Sequence, residues 1–462
     1  MAHLYLQLEQ QLSRLITAGR LVQGDKLPSI RSLCNEYQMA KGTVLHALER
    51  LEARGLIEAR PRSGYYVCLA AEQKIPSDFV PAPLEARVSD VLLEIMQAGS
   101  AFDLCPGAGD ESTTGLELLN RSMNRAMRQQ RGKSHLYYDS PYGLAPLREQ
   151  LGQRLLKRGL TVSQDEICIT SGCQNSLFLA LMATCQPGDT VAVESPGFYG
   201  VLQLLEQLKL RVIEIPSSSQ SGMMMDALQA AAEKWGIRAC VVSPCFSTPT
   251  GALMPEHSRV RLLEMAEAHD FAVIEDDIYA DTALGVVPDP LKSLDTTGRV
   301  ILCSSFSKTL SKDLRVGWIS AGRWHKNVVQ LKLVTQLASP TSVQKGVADF
   351  IVSGAYTAHL KRQQHRLKQQ RDQLLAEIRS WQGVHTTSIP EGGLSLWVEL
   401  TPERNTLTLF HSLKSRGVMI TPGTLFSNED KFKNALRISY FHPWNKQRLN
   451  ALNTIAAILK RP

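Results

Sequence analysis

The sequence lacks the features of an exported or membrane-inserted protein. No stretch approaches the run of about 18 uncharged apolar residues that a membrane-spanning helix needs, and the opening MAHLYLQLEQQLSRL is amphipathic. There is no Cys-x-x-Cys pair, and the nine cysteines are odd in number, which favours reduced thiols over a disulfide framework. We therefore expect a cytoplasmic protein without a membrane segment.

Repeats of fixed period and low-complexity tracts are also absent. The chain of 462 residues is too long for one ordinary core, so its length predicts a small and a large domain, or two to three domains. A composition of 44% hydrophobic and 21% charged residues is typical of folded globular proteins. The formal net charge of +7 is compatible with a polyanionic partner, but over this length it does not establish DNA binding.

The first 70 residues have the pattern of three helices followed by a hairpin. Ser29 is placed to cap the second helix, and the third helix turns Thr43, His46 and Arg50 away from its apolar side. The segment GLIEARPRSGYYV predicts two short strands around a positively charged tip, the shape of a wing. The apolar residues of each helix recur at helical spacing: Leu4, Leu8, Leu12, Leu15 and Ile16, then Ile30, Leu33, Cys34 and Tyr37, then Val44, Ala47, Leu48 and Leu51.

A two-helix unit of this kind presents its second helix to the major groove. Lys41, Thr43 and His46 are the candidate base contacts, and Gly64 lets the wing tip turn tightly. Phosphate contacts, which set register without carrying sequence information, are expected from the arginines Arg31, Arg60 and Arg62. Spacing alone leaves a second interpretation open, an interaction module with a solvated charged face.

The segment LPSIRSLCNEYQMAKGTVLHALERLEARGLIEARPRSGYYV resembles the GntR-type winged helix-turn-helix over nearly its whole length. The resemblance implies that double-stranded DNA is a partner. It also implies that the matching positions approach the duplex: Arg31, Lys41, Thr43, Arg62 and Gly64.

Residues 71–99 are rich in proline and alanine and predict a linker. Beyond them the β-rich runs EICIT, TVAVE, ACVVS, FAVIE and RVILCS alternate with longer helical patterns. Such alternation predicts a mostly parallel sheet covered by helices on both faces. In sheets of this kind ligands bind at the carboxyl ends of the strands.

The segment CSSFSKTLSKDLRVGW places a lysine after a buried-looking strand and an arginine seven residues later. Taken by itself, Lys308 also fits a solvated surface lysine. The segment resembles the Schiff-base region of fold type I enzymes that use pyridoxal 5'-phosphate (PLP). The resemblance implies an internal aldimine of PLP on Lys308, with Ser305, Ser307 and Arg315 contacting the phosphate.

In TSGCQNSLFLA, which follows EICIT, we expect Gly172, Cys173 and Gln174 at a helix amino terminus. Free backbone N–H groups and the helix dipole favour an anion there, so these residues are candidates for binding the cofactor phosphate. The alternative is a helix cap with no ligand, which SG-x-x-N alone indicates more often than a ligand site.

The acidic run in FAVIEDDIYAD supplies a candidate partner for the pyridine ring. The resemblance assigns Asp276 to the ring nitrogen, where it favours the electron-sink form, and Tyr279 to the 3'-oxygen. Alone, the EDD run fits a metal site or an exposed loop equally well. Phe198 in ESPGFYG matches the aromatic that stacks on the ring, or else is a core phenylalanine.

Further matches concern the dimer and the ligand. Tyr138 in YYDSPYG resembles a tyrosine that crosses a dimer interface to the partner's phosphate, which implies a homodimer. Arg437 in LRISY resembles the arginine that binds a substrate carboxylate bidentately, and Gly107 is a candidate for the same pocket. One position departs from the family: Thr248 stands where an asparagine usually donates to the 3'-oxygen, and its hydroxyl is shorter.

Together these segments resemble the MocR-type subfamily of GntR transcription regulators. The predicted fold class is an N-terminal winged helix-turn-helix, mostly α with a small β-wing, plus an α/β PLP-dependent transferase fold type I large domain with a C-terminal α+β small domain. The expected boundaries are 1–70 for the DNA-binding domain, 71–99 for the linker and 100–462 for the PLP-binding domain. Its large part spans about 130–330 and its small part about 331–462.

The resemblance implies a DNA-binding regulator that senses an amino-acid-like effector through PLP. Two alternatives stay open. One is an active aminotransferase with an accessory DNA-binding module, which Lys308, Asp276, Tyr279 and Arg437 favour and Thr248 disfavours. The other is a regulator that has lost cofactor binding and uses its large domain for dimerisation only.

Overall fold

The computed structural model describes residues 4–17, 21, 25–53, 56–60, 63–67, 80–87, 90–97, 104–105, 114–129, 138–442 and 444–460. The chain divides into two units, Met1–Phe79 and Val80–Pro462. Each unit has buried apolar cores of its own, as expected for a chain of this length.

Three helices and a hairpin form the first unit: α1 (Leu4–Thr17), α2 (Ile30–Tyr37), α3 (Lys41–Ala53), β1 (Ile57–Arg60) and β2 (Gly64–Val67). The Ser29 side chain accepts a hydrogen bond from Ser32 N at 3.1 Å, so the predicted cap of α2 is confirmed. The apolar stripes of the three helices share one buried core. The two strands pair antiparallel from Ile57 with Val67 to Arg60 with Gly64, which is the predicted wing.

A mostly parallel sheet forms the centre of the second unit. Its strands are β3 (Leu84–Glu85), β4 (Cys168–Thr170), β5 (Thr190–Ser195), β6 (Arg211–Ser218), β7 (Gly222–Met223), β8 (Ile237–Val242), β9 (Ala272–Asp276), β10 (Val300–Ser305) and β11 (Gly317–Ser320). They are ordered β3-β6-β5-β8-β9-β10-β11-β4, with β7 paired to β6. The neighbours from β6 to β10 run parallel, whereas β3, β11 and β4 pair antiparallel towards the two edges.

Helices cover both faces of this sheet. Val191 and Val193 of β5 belong to one buried cluster and Ala192 to another. Because successive side chains of a strand point to opposite faces, the two clusters lie on opposite sides of the sheet. The helices before the C-terminal subdomain are α4 (Asp90–Gln97), α5 (Thr114–Gln129), α6 (Ala145–Leu156), α7 (Cys173–Thr184), α8 (Tyr199–Gln207), α9 (Met225–Lys234), α10 (Glu256–Ala268), α11 (His325–Gln336) and α12 (Thr341–Val352).

The C-terminal subdomain is built on an antiparallel sheet of order β12-β13-β15-β14. These strands are β12 (Val384–Thr387), β13 (Ser395–Leu400), β14 (Thr421–Pro422) and β15 (Ala435–Ser439), accompanied by α13 (Ala355–Ile378), α14 (Thr406–Lys414) and α15 (Lys446–Leu459). Its core is one buried cluster of strand and helix residues, among them Leu396 and Ile438. The predicted α+β small part is therefore present.

Residues 80–97 belong to the second unit. Strand β3 pairs antiparallel with β6, and the Trp235 indole N–H donates to the Pro81 carbonyl at 2.9 Å. Leu92 and Ile95 of α4 are buried in the core of the C-terminal subdomain. This part of the segment 71–99 is therefore packed on the second unit by apolar burial and by backbone pairing.

Candidate functional site

The site is built at the carboxyl ends of the parallel strands. Asp276 is the last residue of β9, Ser305 is the last residue of β10, and Lys308 follows in the next turn. The loop after β4 leads into the amino terminus of α7. This is the edge at which open α/β sheets bind ligands.

Asp276 is buried and held on one oxygen. Its Oδ1 accepts a hydrogen bond from the Cys173 thiol at 3.2 Å and one from the Ile278 backbone N–H at 3.3 Å. Burial raises the pKa of this carboxyl to about 6, against the lowering effect of the two donors. The carboxylate is therefore poised to accept a proton or a cationic N–H donor near neutral pH.

The Lys308 side chain is partly buried. Burial lowers the pKa of its amine to about 7, and the positive charge of Arg437 acts in the same direction, while the charge of Asp276 opposes it. A lysine with this pKa is unprotonated in about half of the molecules at pH 7. An unprotonated amine is what nucleophilic attack on a carbonyl requires.

The three consecutive acids at the end of β9 have different partners. Both Glu275 oxygens accept backbone N–H groups, from Leu291 at 2.7 Å and Lys292 at 2.9 Å. Asp277 forms a bidentate pair with Arg158, at 2.6 and 2.9 Å. All three acids are buried, so this run is not an exposed loop, and in the described part of the chain no group of three or more His, Cys, Asp and Glu side chains is arranged to hold a metal ion.

Two of the candidate phosphate contacts, Gly172 and Arg315, meet at the start of α7. Gly172, the N-cap of α7, has φ +94°, and a Cβ there would lie 2.7 Å from the Arg315 guanidinium. Arg315 Nη2 donates to the Ser171 carbonyl at 2.7 Å, and the Ser305 hydroxyl accepts from Ser307 N at 3.3 Å. A glycine is thus required where the guanidinium reaches the helix terminus.

Gln174, predicted in the same group, directs its side chain elsewhere. Its amide nitrogen donates to the Gly200 carbonyl at 2.7 Å, at the beginning of α8. A contribution of Gln174 to anion binding would therefore come from its backbone N–H at the helix amino terminus.

An aromatic group lies beside these residues. Phe198 is partly buried at the N-cap of α8, with its ring centroid 5.0 Å from that of Tyr199. Burial raises the pKa of the Tyr279 phenol, so the phenol keeps its proton. Thr248 lies beside Tyr279, and its buried Oγ1 makes no hydrogen bond within the described chain.

Arg437 lies in the centre of β15 and is 2% exposed. Its guanidinium carbon is 5.1 Å from the Phe426 ring centroid and 5.9 Å from the Tyr199 ring centroid. Its charge acts on the amine of Lys308, so the strand of the C-terminal subdomain faces the same site as the turn after β10. Gly107 lies outside the described residues.

In the first unit, the candidate DNA contacts Arg31, Lys41 and His46 are exposed, and Thr43 is half-buried. The other two candidates of the wing are exposed as well: Arg60, whose guanidinium carbon is 4.3 Å from the Tyr66 ring centroid, and Gly64, which has φ +110°. Arg62 lies outside the described residues.

Arg50 differs from the expectation that it faces solvent with Thr43 and His46. Its Nε lies 2.5 Å from Oε2 of Glu9, a buried carboxylate of α1. A buried carboxylate needs a cationic or hydrogen-bonding partner, and the spacing within α3 alone gives no sign of one on α1. Arg50 therefore holds two helices together.

Two groups of residues near the site carry no local sequence signal. One is the Arg158–Asp277 pair, whose members are 119 positions apart. The other is a set of polar side chains of α13 that contact the backbone of Lys308 and Thr309.

Tyr138, the candidate dimer residue, is 77% exposed in the single chain.

The fold and the site define a winged helix-turn-helix joined to an α/β domain of the aminotransferase type. Residues 103–454 match the family Aminotransferase class I and II, and residues 4–67 match Bacterial regulatory proteins, gntR family. The chain belongs to the MocR-type transcription regulators, in which these two families are fused. The predicted family and fold class are thereby confirmed.

Similar proteins agree with this assignment. The uncharacterized HTH-type transcriptional regulator YjiR of Escherichia coli K12 is 35% identical over 99% of both chains, and YdcR of the same organism is 30% identical over 99% of both. Pyrococcus horikoshii kynurenine aminotransferase, solved in complex with PMP, superposes with a TM-score of 0.73 at 27% identity, covering 81% of this chain and 95% of its own.

LysN, an α-aminoadipate aminotransferase of Thermus thermophilus, was solved as a complex with N-(5'-phosphopyridoxyl)-L-leucine. It superposes with a TM-score of 0.72 at 26% identity, over 80% of this chain and 95% of its own. Among the described helices, none is both long enough and apolar enough to cross a membrane.

Proposed function

We propose that this protein is a DNA-binding transcription regulator that binds PLP at Lys308 and senses an amino-acid-like effector there. The observation that carries the proposal is that an amine whose pKa is about 7 and a buried carboxylate, Asp276, lie at the ends of neighbouring strands and act on each other through their charges. This pairing supplies both a nucleophile for an aldehyde and a partner for a pyridine nitrogen.

The residues of the site fit PLP. The amino terminus of α7 and a nearby guanidinium suit a phosphate, and the buried Thr248 Oγ1 lacks a protein partner within the described chain. When bound, PLP supplies an aldehyde for amines and a ring that accepts electrons. We assign the phosphate to Gly172, Cys173, Gln174, Ser305, Ser307 and Arg315, the ring nitrogen to Asp276, the 3'-oxygen to Tyr279 and Thr248, and the ring face to Phe198.

Arg437 indicates that the effector carries a carboxylate. A planar guanidinium binds a carboxylate bidentately, and PLP held at Lys308 would supply the aldehyde for the amino group. Gly107 is proposed to line the same pocket. An effector with a carboxylate and an amino group can alter DNA binding only if it binds two conformations of the protein with different affinities.

We further propose a homodimer in which the exposed Tyr138 reaches the partner's phosphate site. The proposed DNA-binding domain is residues 1–70 and the proposed PLP-binding domain is residues 100–462; of the segment 71–99 between them, residues 80–97 belong to the second unit. The duplex is contacted through Arg31, Lys41, Thr43, His46, Arg62 and Gly64. A protein that binds the chromosome acts in the cytoplasm of a bacterium.

An absorbance titration with PLP tests the cofactor assignment. Wild-type protein is expected to gain a visible absorption band that Lys308→Ala abolishes. Lys312→Ala is the matched control, because Lys312 lies in the same segment and is exposed beside Asp313. A band of equal intensity in Lys308→Ala contradicts the assignment.

Addition of amino acids and related amines to the PLP-loaded protein tests the effector. The effective compound is expected to change both the absorption spectrum and the affinity for operator DNA. The regulatory role is refuted by an operator affinity that stays the same with and without PLP and amines.

The second candidate function is an active aminotransferase with an accessory DNA-binding module. Lys308, Asp276, Tyr279 and Arg437 favour it, whereas the short hydroxyl of Thr248 disfavours it. Repeated turnover of amino acid and keto acid pairs distinguishes an enzyme from a regulator that completes a single half-reaction. Absence of bound PLP would favour a domain used for dimerisation only.

A further inference from the structure

Helix α13 contacts the turn that carries Lys308. The His359 imidazole Nε2 lies 2.7 Å from the Thr309 carbonyl oxygen, and the Gln363 amide nitrogen lies 3.5 Å from the Lys308 carbonyl oxygen. A carbonyl oxygen only accepts hydrogen bonds, so His359 carries its proton on Nε2. Two consecutive backbone carbonyls of the turn are therefore bonded by side chains of one helix.

A third residue of the same helix contacts the Thr309 side chain. The Tyr356 phenol oxygen lies 3.0 Å from Thr309 Oγ1 and 3.0 Å from Asp281 Oδ2. The phenol is the donor to both oxygens, which share its one proton, and the Thr309 hydroxyl donates in turn to the Phe306 carbonyl at 3.5 Å. Arg154 Nη2 completes the network at 2.8 Å from Asp281 Oδ2.

The imidazole of His359 is held from the opposite side by a glycine. A Cβ added to Gly115 of α5 would lie 2.1 Å from His359 Nδ1 and 2.9 Å from its Cγ. Such a separation is far below a van der Waals contact. The ring is thus confined between Gly115 and the Thr309 carbonyl, so its position is set by packing as well as by the hydrogen bond.

The three contacting residues belong to one stripe of α13. Positions 356, 359 and 363 recur at helical spacing, and the same spacing continues through the buried residues Leu367, Leu374 and Ile378. These apolar residues lie in the core of the C-terminal subdomain together with Leu436 and Ile438, which flank Arg437 on β15. One helix therefore connects the turn of Lys308 to the strand of Arg437.

We propose that Tyr356, His359 and Gln363 are positioning residues that fix the Lys308 turn relative to Arg437 and so set the reactivity of the Lys308 amine towards PLP. The inference rests on the proposed role of Lys308. Charged groups that act on this amine are Arg437, Asp276 and Arg315; those acting on His359 are Arg362 and Arg366. A turn that relaxes towards water is expected to move the amine towards its ordinary basicity.

The test measures the rate at which PLP attaches to the apo-protein as a function of pH. In wild-type protein the rate is expected to rise with a midpoint at about pH 7, where the amine loses its proton. In His359→Leu the midpoint is expected to shift upward by about one pH unit, which lowers the rate at pH 7 about fivefold. His359→Gln places an amide donor near Nε2 and should restore most of the rate.

Two further variants keep the test independent of the folding of His359→Leu. Gly115→Ala displaces the ring without changing it, and Tyr356→Phe removes one hydroxyl while keeping the aromatic packing. Both are expected to shift the midpoint in the same direction. The control is His365→Leu, an exposed position of the same helix, which should match the wild type.

The outcomes separate the two proposals. If wild-type protein takes up PLP, Lys308→Ala does not, and the folded variants at 356, 359 and 115 all keep the wild-type midpoint, then the positioning role is wrong and the cofactor assignment stands. If wild-type protein takes up no PLP, the proposed function fails and this inference fails with it.

Discussion

The Cys173 thiol donates to Asp276 Oδ1 over 3.2 Å. The contact joins the first residue of α7 to the last residue of β9, so one residue has its backbone N–H at the helix terminus proposed to bind the phosphate and its side chain on the carboxylate. Oδ1 also accepts from Ile278 N, and no described residue donates a hydrogen bond to Oδ2. The arrangement leaves Oδ2 available for the ring nitrogen that we propose as the partner of Asp276.

Substitution of Cys173 tests this arrangement. Cys173→Ala removes one of the two donors that orient the carboxylate, and loss of one buried hydrogen bond corresponds to about a threefold to tenfold weaker affinity for PLP. Cys173→Ser keeps a donor and should stay closer to the wild type. The measurement is the PLP dissociation constant; equal constants for the alanine and serine variants would show that the thiol does not orient Asp276.

The Arg158–Asp277 pair is expected to be important for stability. Arg158→Met leaves a carboxylate that is 1% exposed without its cation, and breaking such a buried pair costs about 3–5 kcal/mol. The double variant Arg158→Met with Asp277→Leu removes both charges and should recover part of this loss. Denaturant unfolding of the second unit gives the values, and a single variant as stable as the wild type contradicts the prediction.

Local spacing was sufficient to predict many elements of the fold. Ser29 caps α2 as predicted, and FAVIE and RVILCS became β9 and β10, because helix and strand periods are properties of neighbouring residues. The order of the strands was not predictable in this way. The run EICIT forms β4, yet it lies at an edge and pairs antiparallel with β11, since periodicity does not determine which strands become neighbours.

The residues of the candidate site also differ in whether local sequence could predict their positions. Asp276 ends a strand, Lys308 follows one, and both fall within motifs, so their place at the strand ends could be predicted. Arg158, in the turn after α6, and His359, on α13, reach the site from distant segments, the latter 50 positions from Thr309. From the sequence alone, each would be expected to be a solvated surface residue. Only the tertiary packing brings Arg158 to Asp277 and His359 to the turn of Lys308.

Substitutions of exposed and of paired cations in the first unit are expected to have different effects. Arg31→Ala and Lys41→Ala remove exposed cations, so each should weaken binding to non-specific duplex DNA and reduce the slope of log affinity against log salt by about 1. Arg50→Ala instead breaks the pair with the buried Glu9 and should destabilise the first unit by about 1–3 kcal/mol. Fluorescence anisotropy at several salt concentrations and thermal unfolding separate the two effects. An unchanged salt slope in both Arg31→Ala and Lys41→Ala would exclude these residues as phosphate contacts.

Glu194 makes stability depend on pH. Its Oε2 accepts from Ser243 N and the Ser247 hydroxyl, each at 3.0 Å, but its buried Oε1 has no hydrogen-bond partner within the described chain. Burial raises the pKa of this carboxyl to about 7 from its ordinary value of 4.5. Between these two values the folded state binds more protons than the unfolded chain, so this group makes the protein less stable as pH rises.

Glu194→Gln should therefore stabilise the protein by about 2 kcal/mol at pH 8 and flatten the change in stability between pH 5 and 7. Glu275→Gln is the matched comparison, since burial raises the pKa of Glu275 as well. Both oxygens of Glu275 accept backbone N–H groups. In Glu275→Gln the amide nitrogen, which is a donor, would face one of these N–H groups, so this substitution should destabilise the protein at both pH values. Free energies of unfolding at pH 5 and pH 8 check the pair. If the two substitutions change the free energy of unfolding equally, the hydrogen-bond partners do not determine the effect of replacing each carboxyl by an amide.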